Sequence, residues 1–363
     1  MASAPTRVAI LAGGSGTRFW PAGTSSKPKQ LLALDGDDKR PLLRATVDRL
    51  KPLSKHPPYI VAPAPLKRAL TKLLPELPAE AFLWEPEARN TCAAVALASH
   101  AAKSETGNGP LLVVPADQHV SPHKDYRTAM RAMLERARSF GGIVCLGLEP
   151  THPATGYGYL ESGTRTVKSK AGAIHHVRRN VEKPSRARAG RMLKRGGFLW
   201  NGGTFAFRPS VFLDALDQHQ SDIAWPLARA CQRMGTKGFP ASLRRAYKGM
   251  PSVSVDYAVM EKARAVEVLA STIEWDDLGS WDAVARHRAP DDAGNRLRGD
   301  VTVHGAQECL VDAEDGHVAL LGVKDLVVVR RGNTVLVAKR GLGEDVREIV
   351  ARLEEEGRKD LLK

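Results

Sequence analysis

The sequence is poor in the features that mark secreted, membrane and fibrous proteins. Only four cysteines occur in 363 residues, Cys92, Cys145, Cys231 and Cys309, and they form neither a Cys-x-x-Cys pair nor a Cys/His cluster. That excludes a disulfide framework and a structural zinc site. No apolar run approaches the roughly 18 residues that a membrane span needs; Ile143–Leu148 and Leu326–Val329 are strand-sized. The N-terminus, MASAPTRVAILAGG, passes from one early cation through a short apolar run straight into glycines. It lacks the apolar core of a secretory signal, so the expectation is a cytoplasmic protein without membrane contact. With 43% hydrophobic and 26% charged residues, disorder and collagen are also excluded.

Acids are scarcer than bases: 54 Lys/Arg stand against 40 Asp/Glu, a formal charge of +14 that favours anionic partners. Between Arg165 and Arg195 there are eleven Lys/Arg and one acid, Glu182. This stretch reads as a solvated basic face on a helix and hairpin. Nucleic-acid readers interleave aromatics or carry a recognisable module; here neither is present, so no nucleic-acid partner is expected.

At roughly 150 residues per domain the length predicts two domains. Val8–Ala12, Tyr59–Ala62, Leu111–Val114 and Ile143–Leu148 read as continuously apolar buried strands. Between them Pro41–Leu50, Pro65–Leu74, Thr91–Lys103 and Tyr126–Phe140 carry apolar residues at helical spacing. The β-α-β-α order predicts a doubly wound α/β sheet, whose ligands bind at the carboxyl ends of the strands. Residues 151–290 keep a mixed character with longer loops, among them Trp-Asn and Trp-Asp turns at Trp200 and Trp275. From about Asn295 short β-rich pieces follow at close spacing, which predicts a small β appendage or a few solenoid coils, closed by a charged helix over Glu344–Gly357. The expected domains are 1–290 and 295–363.

Directly after the first strand comes Leu11-Ala12-Gly13-Gly14-Ser15-Gly16-Thr17-Arg18. Glycines let the backbone approach a phosphate, and consecutive N–H groups form an anion-binding nest. A P-loop requires Gly-Lys-Ser/Thr, which is missing; a dinucleotide fingerprint requires a glycine where Phe19 stands and an immediate helix, and Trp20-Pro21 breaks that helix. What remains is a long irregular loop carrying Arg18 and Lys29 about the same anion. Each contact cation is worth about 4 kcal/mol at an effective dielectric near 20, before its desolvation cost is deducted.

Gly13–Arg18 with Pro21, followed by Pro28-Lys29-Gln30-Leu31-Leu32, resembles the signature of the sugar-nucleotide pyrophosphorylases, or nucleotidylyltransferases. Further blocks follow in that family's order: Glu85-Pro86 with Arg89-Asn90-Thr91, Pro115-Ala116-Asp117, Gly156-Tyr157-Gly158-Tyr159, Val181-Glu182-Lys183-Pro184, Leu199-Trp200-Asn201 with Gly203, Val255–Glu261 and Trp275–Trp281. They look like the mannose-1-phosphate guanylyltransferase branch, over roughly residues 7–285 strongly and more loosely beyond. Two departures stand out. Gln118 and then His119 follow Asp117, where the family often has His at once, and Gly202 replaces the serine of its Trp-Asn-Ser-Gly. The longer bifunctional relatives carry a further isomerase domain, for which this chain ends too early.

The resemblance implies a Rossmann-like, doubly wound mixed sheet of the nucleotide-diphospho-sugar transferase type, with the C-terminal β part as a short left-handed β-helix. It implies the reaction GTP + α-D-mannose 1-phosphate → GDP-mannose + pyrophosphate, assisted by Mg²⁺. The nucleophile is already ionised, so cations, a metal and alignment suffice. Asp117 and Asp277 match the metal carboxylates, Asp277 being preferred over Asp276 by its spacing to Gly279; with phosphate oxygens and waters they suit Mg²⁺. Arg18 and Lys29 would face the triphosphate as catalytic cations. Leu11, Ala12, Gly13, Gly14, Gly16 and Thr17 would cradle the nucleotide, and guanine selection falls loosely to Glu85, Arg89, Asn90, Thr91 and the Pro115–Ala116 backbone. Lys183 would hold the sugar phosphate, Glu182 and Asn201 the sugar hydroxyls. Gly156 would lie where sugar or backbone packs too closely for a side chain, and Tyr157 and Asp256 complete the sugar site. Asn90 or Thr91 would cap the following helix, whose amino end favours anions. Trp200, Trp275 and Trp281 are expected in the core. The β appendage is expected to serve oligomerisation, as in a homodimer, or packing.

Three rival readings remain: a pyrophosphorylase for another sugar or nucleotide, a regulatory subunit that binds nucleotide sugar without turnover, and a nucleic-acid-binding protein, which only the charge supports. The joint presence of Arg18, Lys29, Asp117 and Asp277 speaks against the second.

Overall fold

A computed structural model describes residues 4–14 and 16–362; Ser15 of the glycine loop lies outside the described residues. The chain divides into two compact units. The first takes the chain up to Gly13, Val47–Pro115 and Val120–Trp275; the second takes Gly14–Thr46, Ala116–His119 and Asp276 onward. The C-terminal segment thus shares a unit with the glycine-loop segment and with the four residues after the strand that ends at Pro115.

The strands are β1 (Arg7–Leu11), β2 (Tyr59–Pro63), β3 (Phe82–Glu85), β4 (Leu111–Pro115), β5 (His119–Ser121), β6 (Ile143–Leu148), β7 (Tyr159–Ser169), β8 (Gly172–Val181), β9 (Phe198–Phe207), β10 (Val266–Ser271), β11 (Glu274–Asp276), β12 (Arg296–His304), β13 (Leu310–Leu321), β14 (Leu326–Arg331) and β15 (Thr334–Lys339). The first unit is built on a mixed nine-stranded sheet in the order β3-β2-β1-β4-β9-β6-β10-β8-β7. β1, β2, β3 and β4 run parallel, as β6 and β10 do, and β9 is antiparallel to β4 and β6. The first four residues of β1, β2 and β4 and all of β6 are buried, as the apolar runs predict. β3 went unread in the sequence because Phe82-Leu83-Trp84-Glu85 ends on an acid and is only four residues long.

The helices Leu42–Leu50, Lys67–Leu73, Asn90–Thr106 and His123–Ser139 occupy the expected crossovers. Small side chains let Asn90–Thr106 pack closely: Ala93, Ala96, Ala98 and Ala102 are all fully buried. The basic run falls on the β7–β8 hairpin and the helix Arg186–Arg195, where Glu161 pairs with Arg179 and Arg195. Trp200-Asn201, read as a turn, instead lies within β9, whose partners on both sides bury it.

In the second unit β12, β13 and β14 stack in parallel and β15 returns antiparallel on β14, the arrangement of short coils closed by a hairpin. Val346–Glu355 is the closing helix. A core of Phe19, Trp20, Leu32, Leu34, Trp281, Leu310, Val329 and Val346 joins the glycine-loop segment to these coils. Trp281 is fully buried, edge-to-face on Phe19 at 5.3 Å. Among the described residues no helix is long and apolar enough to cross a membrane.

Candidate functional site

The second unit places Lys29, Asp117 and Asp277 together. Lys29 opens a short 3₁₀ turn and is buried. Its Nζ lies 2.8 Å from Asp117 Oδ2 and also donates to the main-chain carbonyl of Asp277. Gly16 makes this approach attainable. Its φ is +66°, and a Cβ there would overlap the main-chain nitrogen of Lys29 and lie 2.8 Å from its Cβ, so both conformation and space demand glycine. Arg18 sits half-buried on the turn Thr17–Phe19, and no described residue pairs with its guanidinium.

Two adjacent acids in the Trp-Asp-Asp-Leu-Gly turn have different environments. Asp276 is buried and accepts from Leu278 N at 2.8 Å, from Arg286 at 2.6 and 2.9 Å and from His287 at 3.0 Å. Burial opposes its ionisation, but the bonds from His287 and Arg286 outweigh it and hold the carboxyl below its usual range. Its lone pairs are committed to the fold. The Asp277 carboxylate instead folds over Gly279, 3.1–3.2 Å from where a Cβ would stand. His119 pairs with Asp35 and stacks on His287 at 3.9 Å, which fixes the segment carrying Asp117.

The second group lies in the first unit. Asn201, on β9, donates to Asp256 Oδ1 at 2.8 Å and accepts from Gly203 N at 3.0 Å. Burial and the nearby Glu182 carboxylate push Asp256 up to about 7, with Asn201 and Lys183 pulling the other way. Asp256 begins a single π-type turn, Asp256–Met260, a feature frequent at functional sites. Lys183, at φ +44°, pairs with Glu182. Burial alone would lower its pKa, but Glu182, Asp256 and Tyr257 hold the ammonium above its ordinary range.

The crowded glycine here is Gly158. A Cβ on it would lie 2.6 Å from Glu182 Oε2 and 3.2 Å from Asn201 Cβ, whereas one on Gly156 meets nothing of the chain within 4 Å. A Cβ on Gly202 would stand 2.6 Å from Leu148 Cδ2 and 3.2 Å from the Leu146 carbonyl oxygen, so a serine there would require the Leu148 side chain to shift. Tyr157 packs edge-to-face on Trp200 at 5.1 Å and Trp275 at 5.2 Å; Trp200 is buried and Trp275 half-buried.

Near the start of the chain, Leu11 closes β1, Ala12 N donates to Val61 O at 2.8 Å, and Gly13 would place a Cβ 3.9 Å from Glu85 Oε2. Gly14 and Thr17 are exposed. Glu85, only 4% exposed at the end of β3, accepts from the Tyr247 hydroxyl at 3.1 Å. Burial pushes its pKa up to about 7 against the opposing effect of that hydroxyl. Arg89 pairs with Glu87. Asn90, at φ +62°, accepts from Thr91 N, while the Thr91 hydroxyl accepts from Val255 N at 2.9 Å; Thr91 therefore ties the helix start to a distant loop and does not cap it. Pro115 ends β4, and the Ala116 carbonyl accepts from Thr46 Oγ1 at 3.1 Å. Tyr247, Arg286 and His287 carry no motif signal of their own, since each acts through a partner outside its own segment; Gly158 lies in a family block that does not mark it out from Gly156.

Asp117, Asp277 and the Lys29 ammonium also test the fit of a divalent metal. Carboxylate and carbonyl oxygens already converge on one cation there, and hard oxygen donors are the set Mg²⁺ takes. The residues fit.

Residues 7–292 match the nucleotidyl transferase family, and residues 300–353 match the MannoseP isomerase/GMP-like beta-helix domain. Over 97% of this chain and 73% of the relative, it is 34% identical to the alginate biosynthesis protein AlgA of Pseudomonas aeruginosa. It is also 34% identical to the mannose-1-phosphate guanylyltransferase of Escherichia coli K12, covering 99% of this chain and 75% of that protein. A crystal structure of a mannose-1-phosphate geranyltransferase from Thermus thermophilus superposes with a TM-score of 0.85 at 36% identity, over 96% of this chain and 99% of that one.

Proposed function

The chain belongs to the nucleotidyl transferase family, and from that premise we propose that it transfers GMP from GTP to α-D-mannose 1-phosphate, releasing pyrophosphate. Enzymes of this family generally use a divalent metal; we propose Mg²⁺ here. The observation that carries the reading is the convergence of the Asp117 carboxylate and the Asp277 main-chain carbonyl on the Lys29 ammonium, beside a glycine loop whose Gly16 only glycine can occupy.

An oxygen of the sugar phosphate forms a bond to the α-phosphorus of GTP, and the bond to the pyrophosphate oxygen breaks. Both reactants are polyanions, so the protein's task is to neutralise charge and align the groups. Arg18 and Lys29 stabilise charge on the reacting phosphoryl group and the leaving pyrophosphate. Leu11–Gly14, Gly16 and Thr17 cradle the nucleotide. Asp117 and Asp277 would hold the metal, which would withdraw charge from the phosphate oxygens. In the other group Lys183 takes the sugar phosphate, Glu182 and Asn201 take hydroxyls, Asp256 orients Asn201, and Gly156 and Tyr157 line the sugar. Glu85, Arg89, Asn90, Thr91, Pro115 and Ala116 read the base.

Pyrophosphate release across four nucleoside triphosphates and several sugar 1-phosphates, with and without magnesium, tests this. The expected maximum is GTP with mannose 1-phosphate, dependent on the metal. Equal or greater release with UTP or dTTP and glucose 1-phosphate would overturn the substrate assignment. No release with any pair would overturn the activity.

A further inference from the structure

One large cavity in the first unit involves none of the residues above. It has a volume of about 760 Å³ and lies between the helices Ser221–Cys231 and Phe239–Tyr247 and the turn that follows. Volumes of about 300–1,000 Å³ are those of small-molecule sites. Trp225, Arg229 and Arg233 line it from one side and Arg245 and Lys248 from the other, with Asp222 as the acid among them. All four cations are exposed, and none forms an ion pair with a described residue. Four like charges round one cleft repel each other, and nothing in the fold needs them there. Trp225 is 64% exposed, an unusual position for the most costly side chain to leave in water. Its indole N–H donates to Asp217, so one edge is anchored and the ring face is presented in a fixed orientation.

A fixed, open aromatic face beside clustered guanidinium groups matches a ligand with a planar base and a polyanionic tail. We propose that this cleft is a binding site for a nucleoside polyphosphate, the base on Trp225 and the phosphates on Arg229, Arg233, Arg245 and Lys248. It is separate from the residues assigned to the reaction, and the proposal does not rest on that assignment.

Photolabelling of the full chain with 8-azido-ATP, followed by peptide mapping, tests it. Label is expected within residues 221–250, displaced by ATP, and unchanged by Lys29→Ala. Trp225→Ala, Arg229→Gln with Arg233→Gln, and Arg245→Gln with Lys248→Gln should each weaken ATP competition at least tenfold. These side chains are exposed, and an unchanged circular dichroism spectrum separates lost binding from lost fold. Label confined to glycine-loop peptides and abolished by Lys29→Ala would overturn the proposal. So would competition by tripolyphosphate as strong as by ATP with no effect of Trp225→Ala, which describes a bare anion patch, or stronger competition by poly-glutamate, which describes a protein-docking groove.

Discussion

The ammonium of Lys29 lies 2.8 Å from the Asp117 carboxylate and donates to the main-chain carbonyl of Asp277, so one buried cation ties together three segments far apart in sequence. If these groups act on the triphosphate, losing either charged side chain removes a stabiliser of the transition state. Lys29→Ala and Asp277→Ala should each lower kcat by about 10²–10³. Asp276→Asn, which loosens the bonds to Arg286 and His287, should instead lower the melting temperature. Steady-state rates paired with thermal melts distinguish the two classes, and wild-type turnover in Lys29→Ala would refute the role given to it.

Burial of Glu85 makes stability depend on pH. Its folded pKa, about 7, stands above the ordinary 4.5 because burial disfavours the carboxylate. Between these values the native state binds more protons than the unfolded chain, so stability is full below about pH 4.5 and falls as pH rises towards 7. The full loss, reached above about pH 7, is on the order of 3–4 kcal/mol, since the folded pKa stands about 2.5 above the ordinary one and each unit is worth about 1.4 kcal/mol. Glu85→Gln keeps an acceptor for the Tyr247 hydroxyl and removes the titration. Relative to wild type it should gain several degrees in melting temperature at pH 8 and little at pH 4.5; equal differences at both would refute the linkage.

The sugar-site glycines separate a structural constraint from a binding one. Gly158→Ala would drive a methyl into the Glu182 carboxylate and Asn201. The KM for mannose 1-phosphate should rise at least tenfold while that for GTP changes little. Gly156→Ala meets open space within the chain and should melt as wild type does; a rise in its sugar KM would then report the substrate itself. If Gly158→Ala left the sugar KM unchanged, Glu182 would have no part in sugar binding.

How much of this was legible in the sequence depended on how local each determinant is. The buried strands could be read because their apolar runs are contiguous, and the glycine loop because Gly16 needs a positive φ whatever surrounds it. The preference for Asp277 over Asp276 rests on motif spacing; the structure adds that Asp276 is bonded to Arg286 and His287, which the motif does not say. Long-range consequences were not legible. Nothing in Gly156-Tyr157-Gly158 says which glycine faces Glu182. Nothing in Thr91 says that its hydroxyl serves Val255 rather than its own helix. The segment Gly14–Thr46 joins the C-terminal coils through contacts such as Arg298 with the Ala33 carbonyl and Lys27 with Glu314, partners with no sequence signature.

The same segment is held at the far end of the chain. Trp20 Nε1 donates to the Leu361 carbonyl at 2.9 Å, and the Ser25 main-chain N–H and hydroxyl both donate to the Leu362 carbonyl at 3.1 Å. Trp20 and Ser25 lie between Arg18 and Lys29, so the C-terminal residues brace the stretch that holds both cations. Removing residues 361–363 deletes three acceptor bonds, each worth about 0.5–1.5 kcal/mol net, and leaves the first unit untouched. The expected result is a higher KM for GTP and a lower kcat, with the KM for the sugar phosphate near wild type. Trp20→Phe keeps the ring in its buried place, removes only the N–H, and should show a smaller change in the same direction. A truncated chain with unaltered GTP kinetics would mean that the loop keeps its shape through Phe19, Trp281 and Gly16 alone.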